Sequence, residues 1–136
     1  MERDVGRLVD HLRLGVADLE ASRRFYRACL AALGVELDAD AADHFAAGEL
    51  SVERADGPAS RVHLVFRAAD RAAVARFHAA GLAAGGVDAG APGARDDAPC
   101  DYAAQLRDPD GNTVEAVHRG TAPRPAGWVE TTPGLA

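Results

Sequence analysis

Residues 11–36 read HLRLGVADLEASRRFYRACLAALGVE, and residues 63–88, 52 positions on, read HLVFRAADRAAVARFHAAGLAAGGVD. Aligned without a gap, 13 of the 26 positions are identical. Alanine richness adds to that count, but the matches His11/His63, Leu12/Leu64, Asp18/Asp70, Phe25/Phe77, Leu30/Leu82 and Gly34/Gly86 owe nothing to it. Self-similarity at a fixed spacing marks one supersecondary unit used twice.

Each copy opens on a period-two pattern, the mark of a half-buried strand. Leu8, Leu12, Leu14 and Val16 share one face, with Val9, His11, Arg13 and Gly15 on the other. In the second copy Val62, Leu64 and Phe66 alternate with His63, Val65 and Arg67. A helix follows each strand. Asp18 and Asp70 are suited to cap the free N–H groups of its first turn. Phe25, Cys29 and Leu33, beside Tyr26 and Leu30, form an apolar stripe, which Val74, Phe77 and Leu82 repeat more weakly. Gly34 and Gly86 are expected to supply the left-handed residue that ends each helix.

Beyond the first helix, short strands are expected at 35–39, 43–47 and 49–54, closed by the turn signal ADGPAS. Beyond the second, DAGAPGARDDAPC reads as a loop, and strands follow at 101–107 and 112–118. Both halves therefore read β-α-β-β-β, an α+β chain with one domain over 1–119, repeat one near 8–56 and repeat two near 60–118. Residues 120–136 read as an irregular tail, with Trp128 able to pin it to the surface or to a second subunit.

Composition bounds the function. The chain has 136 residues, 48% of them hydrophobic, and a net charge of −6, which argues against nucleic acid or an anionic membrane as partner and suits small molecules, cationic ones included. No apolar run approaches the roughly 20 residues of a membrane span. MERDVGRLVDHLRLGV lacks the apolar core of a secretory signal. Cys29 and Cys100 are far apart and in no CxxC pattern, so reduced thiols in a cytoplasmic protein are expected.

In RDPDGNTVEAV, residues 107–117, a turn runs into a strand that carries one carboxylate, Glu115, among apolar neighbours. Asp108-Pro109-Asp110-Gly111 suits a type I turn, with Gly111 at the left-handed position of a three-residue hairpin loop. That register pairs Asp108 with Asn112 and sets Gln105 opposite Glu115; a different loop sets Ala104 there instead. Glu115 then either faces water from a half-exposed strand or points into a site that needs a negative charge.

The stretches DHLRLGVADLEASRRFY, VHLVFRAAD and YAAQLRDPDGNTVEAV, in this order and within a repeated β-α-β-β-β unit, resemble the vicinal oxygen chelate superfamily. That group includes glyoxalase I, bleomycin-resistance proteins, fosfomycin-resistance enzymes and extradiol dioxygenases. The resemblance spans roughly residues 8–118. It implies two units whose strands curl into an open, cup-shaped mixed barrel with helices outside. It also implies a homodimer, formed in some members by exchanging units between chains.

Two imidazoles and one carboxylate hold a divalent metal while leaving places for two substrate oxygens. By resemblance His11, His63 and Glu115 map onto the superfamily's ligands for Zn, Ni, Mn or Fe. Ser51-Val52-Glu53 echoes Thr113-Val114-Glu115, so Glu53 is either a fourth ligand and catalytic carboxylate of the glyoxalase I kind or a solvent-facing residue beside Arg54. Gln105 is a candidate support for Glu115 or a substrate contact. Arg13 either meets an anionic substrate group or pairs with a local carboxylate, and Tyr102 either packs in the core or lines the cup. His44, His78 and His118 read as surface or helix residues. Two functions follow from the resemblance. The first is a metal-dependent enzyme, glyoxalase-like as a first expectation, acting as isomerase, lyase, transferase or dioxygenase on a small molecule that offers two oxygens. The alternative is a non-catalytic protein of the bleomycin-resistance type that sequesters a drug or metabolite. No basic cluster suited to glutathione carboxylates and no potassium loop stands out.

Overall fold

The computed structural model describes residues 8–95 and 100–120. The tail expected at 120–136, Trp128 included, falls almost wholly outside the described residues. The elements run β1 (Leu12–Val16), α1 (Leu19–Ala32), β2 (Ala39–Asp40), β3 (His44–Ala47), β4 (Leu50–Arg54), β5 (His63–Arg67), α2 (Arg71–Ala83), β6 (Val87–Ala94), β7 (Asp101–Arg107) and β8 (Thr113–Arg119). They form two four-stranded sheets, ordered β1-β4-β3-β2 and β5-β8-β7-β6, the outcome expected of one unit used twice. In each sheet the strand before the helix pairs in parallel with the last strand of its unit, β1 with β4 and β5 with β8. The sheets do not close into a barrel: β1 and β5 each end their sheet and pair on one side only.

The helices form where the sequence places them. The Asp18 carboxylate accepts from Ala21 N at 3.1 Å, and that of Asp70 from Ala73 N at 2.7 Å, satisfying first-turn donors. Gly34, at φ 82°, follows α1 as expected, but the left-handed residue after α2 is Gly85, at φ 100°, not Gly86. Gly86 is needed for closeness. A Cβ there would lie 2.5 Å from a Phe25 ring carbon and 2.8 Å from the Gly81 carbonyl oxygen. Gly81 is just as confined, since its Cβ would fall 2.2 Å from Leu106 Cδ1 and 3.0 Å from Cys29 Sγ. This close passage of α1 over α2 explains why Gly81, not Leu82, takes the buried position of α2; Leu82 is exposed.

One core serves both units. Leu14, Val16, Phe25, Tyr26, Cys29 and Val52 of the first unit join Val74, Phe77, Leu106, Val114 and Ala116 of the second in one buried cluster. Each sheet turns one face to the helices and leaves the other open. Alternation along the strands puts Arg13, Gly15, Ser51 and Glu53 on the open face of the first sheet, and His63, Val65, Gln105 and Glu115 on that of the second.

The segment read as a loop at 88–100 carries strand as far as Ala94, and its residues 96–99 lie outside the described residues. β6 runs antiparallel to β7, with register shifts between Asp88 and Gly90 and between Gly90 and Gly93. Its Gly and Pro residues obscured it. Pro92 is tolerated because β6 is an edge strand, where a missing N–H costs no ladder bond on the open side. The strand expected at 35–39 is reduced to Ala39–Asp40, where Asp40 turns to the helix side and pairs with Arg23 and Arg27.

The turn after β7 closes as the sequence predicts. Gly111 N donates to Asp108 O at 2.9 Å, Asp108 N to Asn112 O at 2.9 Å, and Gly111 has φ 89°. The Asp108 carboxylate then accepts from Asp110 N, Asn112 N, Asn112 Nδ2 and, at 2.5 Å, the hydroxyl of Tyr26 on α1. Asn112 Oδ1 accepts from Val62 N at 2.7 Å, and the Asp110 carboxylate from Ala17 N at 3.3 Å. A hairpin tip of the second unit is thereby fastened to the first helix, the first strand's end and the inter-unit linker. Burial, reinforced by the Asp108 charge, pushes the Tyr26 hydroxyl far above its ordinary pKa, so it stays a donor.

Replacing Tyr26 with Phe removes the side-chain donor that, among the described residues, Asp108 receives from the first unit. A hydrogen bond to a charged group contributes about 1.5–3 kcal/mol, the expected loss in urea denaturation. An unchanged midpoint would show that the tie carries no load. Burial pushes the Cys29 thiol up to about 12, so native protein at neutral pH should be alkylated at half-buried Cys100 while Cys29 reacts only after unfolding, as peptide mapping would reveal.

Candidate functional site

Glu115 is 1% exposed, although it stands on the face of β8 turned away from the helices. Among the described residues, three side chains reach its carboxylate. Gln105, opposite it on β7, donates through Nε2 to Glu115 Oε1 at 2.8 Å. His63, from the neighbouring β5, places Nε2 3.2 Å from the same oxygen. Arg95, just past β6, donates through Nη1 to Oε2 at 2.9 Å. The register that sets Gln105 opposite Glu115 is the one the three-residue turn predicts. The carboxylate therefore points into a polar cluster rather than to open water.

Beside this cluster lies a cavity of about 350 Å³, walled by Gly90, Gly93, Arg95, Ala103, Gln105 and Glu115. Glycine and alanine leave the floor free of bulky side chains, while the polar groups gather at one side. Pockets for small molecules commonly combine a mainly apolar wall with a few convergent polar groups.

Arg95 was not singled out from sequence. It is the only basic residue of the DAGAPGARDDAPC segment, a hint that it answers a carboxylate elsewhere, but no spacing rule identifies which. Its backbone is tied down independently, since Arg95 N donates to Asp101 O at 3.1 Å. Asp101 is held in turn by Arg119 at 2.6 Å.

The other predicted residues fall elsewhere. His11 precedes β1, is exposed, and pairs with Asp10 at 3.1 Å rather than joining His63 and Glu115. Arg13 pairs with Glu53 at 2.9 Å on the open face of the first sheet, the local-carboxylate outcome. Tyr102 lies on the helix side of β7, where Arg71 stacks over its ring at 4.9 Å, so it packs against the core. His78 binds Asp88 and His118 the Ala68 carbonyl.

The ladders also resolve the echo between Ser51-Val52-Glu53 and Thr113-Val114-Glu115. Glu115 stands beside Val65, and the gapless repeat equates Val65 with Arg13. The residue beside Arg13 is Ser51; Glu53 stands beside Gly15, one rung further on, where the second unit has Val117 beside Arg67. Glu53 shares a face type with Glu115 but not its structural position.

The donors show how well this cluster suits a divalent ion. His63 Nε2 and Glu115 Oε1, 3.2 Å apart, are close enough to share one. Among the described residues, however, no three His, Cys, Asp or Glu side chains come together in a metal-holding group. The rest of the cluster presents N–H donors, not lone pairs, and one of them is a guanidinium on Oε2. One chain alone does not fit a metal. What it builds is a buried carboxylate held by donors.

Glu115→Gln tests that account. The amide would keep the shape but turn N–H groups toward a donor on one side, so a loss of about 1–3 kcal/mol is expected in chemical denaturation. No loss would mean the carboxylate is not the acceptor the cluster is built around.

A sequence profile of the Glyoxalase/Bleomycin resistance protein/Dioxygenase superfamily matches residues 8–116. Among solved structures, the chain is similar to a glyoxalase/bleomycin resistance protein from Albidiferax ferrireducens T118, with 35% identity over 83% of this chain and 100% of that one and a TM-score of 0.73. A glyoxalase-related enzyme from Fulvimarina pelagi is similar at 22% identity over 94% and 99% of the two chains, TM-score 0.66. The lactoylglutathione lyase from Agrobacterium tumefaciens is similar at 23% identity over 81% and 92%, TM-score 0.56. The last two likenesses speak to the fold alone. No curated protein matches the chain significantly.

Proposed function

Since the chain belongs to the Glyoxalase/Bleomycin resistance protein/Dioxygenase superfamily, we propose that it binds a small molecule on the open face of its second sheet, with Glu115 at the centre of the site. The observation that carries this is the buried Glu115 carboxylate, held by His63, Arg95 and Gln105 at the wall of a cavity of about 350 Å³. Holding a carboxylate in place with three donors pre-organises the polar wall, so a ligand meets groups already fixed in geometry. The chain's negative charge favours a neutral or cationic ligand over an anionic one. This reading is closer to sequestration of the bleomycin-resistance kind than to catalysis.

Metal-dependent catalysis of the glyoxalase kind is the second reading, and the 3.2 Å separation of His63 Nε2 and Glu115 Oε1 favours it. It needs a third donor from outside the cluster. A second copy of the chain, seated against the open sheet, would bring its own His11 or its Arg13–Glu53 pair toward this face. Because β1 and β5 pair on one side only, each sheet has an edge at which such a copy can join. Among the described residues no helix is long and apolar enough to cross a membrane, and a cytoplasmic site of action is part of the proposal.

A thermal-shift screen of small neutral and cationic molecules, bleomycin included, tests the first reading. At a ligand concentration 100-fold above the dissociation constant, binding adds about 2.7 kcal/mol to stability. The expected result is at least one compound that raises the melting temperature of the wild type and not of Gln105→Leu. Turnover of a hemithioacetal that disappears with chelator, from protein running as a dimer in size exclusion, would favour the second reading over the first.

A further inference from the structure

We infer that Arg95 is the resident cation of the Glu115 site: its guanidinium occupies the place at Oε2 from which a divalent ion would hold this carboxylate, and so keeps a divalent metal out of the site. This takes Glu115 as the centre of the site, as above, and adds what neutralises it.

Three observations meet here. First, the charge is already answered. Glu115 is 1% exposed, and Arg95 Nη1 lies 2.9 Å from Oε2. A metal at a carboxylate oxygen sits about 2 Å from it, so at Oε2 it would meet a like charge within the guanidinium's own contact shell. Second, the surrounding groups face the wrong way for a metal. Gln105 turns its amide N–H, not its carbonyl, toward Oε1 at 2.8 Å. His63, whose Nε2 lies 3.2 Å from Oε1, is the one side chain of the three with a nitrogen lone pair to offer a metal. The cluster is thus closer to the inverse of a metal centre, with an amide and a guanidinium donating to one anion. Third, Arg95 is positioned by its backbone. Its N–H bonds to Asp101 O at 3.1 Å, and Arg119 anchors Asp101 at 2.6 Å. The guanidinium reaches Glu115 from a fixed point in the second unit and does not depend on the ligand to place it.

Metal binding can then be read directly, with the metal ion alone as probe. Chelator-treated full-length protein is titrated with Zn²⁺, Ni²⁺ and Mn²⁺, following calorimetry and melting temperature. The wild type is expected to bind none of them at the site. Arg95→Met, which keeps the apolar stem and removes the charge, is expected to melt lower and to bind Zn²⁺ at least about tenfold more tightly than the wild type, with recovery of melting temperature. His63→Ala in that background should abolish the gain, which ties it to this site. Arg95→Lys should behave as the wild type does, and it also serves if Arg95→Met does not fold. Stoichiometric Zn²⁺ binding by the wild type that His63→Ala removes would overturn the inference, as would an Arg95→Met protein that binds metal no better than the wild type. An empty small-molecule screen would count against the proposed ligand site and leave this result standing, since no organic ligand enters the titration.

Discussion

The Asp108 carboxylate is the point on which the arrangement of the two units turns. It is 4% exposed and accepts four hydrogen bonds, three from its own hairpin and one from Tyr26 of the other unit. A buried charge left without partners costs several kcal/mol, and one fully bonded is tolerated. The Asp-Pro-Asp-Gly-Asn turn therefore shapes a hairpin and, through the same atoms, spans the joint between units. Neighbouring Asp110 and Asn112 reach Ala17 and Val62, so three residues of one turn hold three separate parts of the chain. With the joint fixed, α1 can lie against α2 closely enough that only glycine fits at 81 and 86.

That joint also decides what each open face sees. The helices cover one face of both sheets, which leaves the other face of each sheet open. The second is the more developed. Its carboxylate is buried by three donors from β5, β7 and the end of β6, whereas the first carries a half-exposed Arg13–Glu53 pair. Two units that share a core and a repeat have diverged at this face. The divergence has a simple structural form: the carboxylate-bearing position beside the first residues of the leading strand is Glu115 in one unit and Ser51 in the other.

Much of the fold was legible in the sequence because its signals are local. A strand's alternation, an aspartate before a helix and a glycine in a tight turn each depend on a few adjacent residues, and those expectations held at β1, β5, α1, α2 and the 108–112 turn. The placement of Gln105 opposite Glu115 followed from turn geometry alone. The failures are non-local. β6 was hidden because an edge strand tolerates glycine and proline that an inner strand excludes. Leu82 was placed inward because nothing in sequence shows that Leu106 and Cys29 crowd the axis at Gly81. Arg95 escaped because its partner is 20 residues away across a bulged ladder. The His11/His63 symmetry is real in sequence, yet the two histidines lie in different environments, since symmetry of chain does not oblige the two open faces to meet.

Hairpin tips are ordinarily where a protein absorbs inserted residues, because they project into solvent and touch little. Here the two residues that flank the tip between β7 and β8 are buried, Asp108 and Asn112 each 4% exposed. Residues inserted between them would part Asp108 from the hairpin groups it accepts from. Arg95 thus sits at the end of an edge strand, while Asp108, which ties the two units, sits in a turn where an insertion costs most.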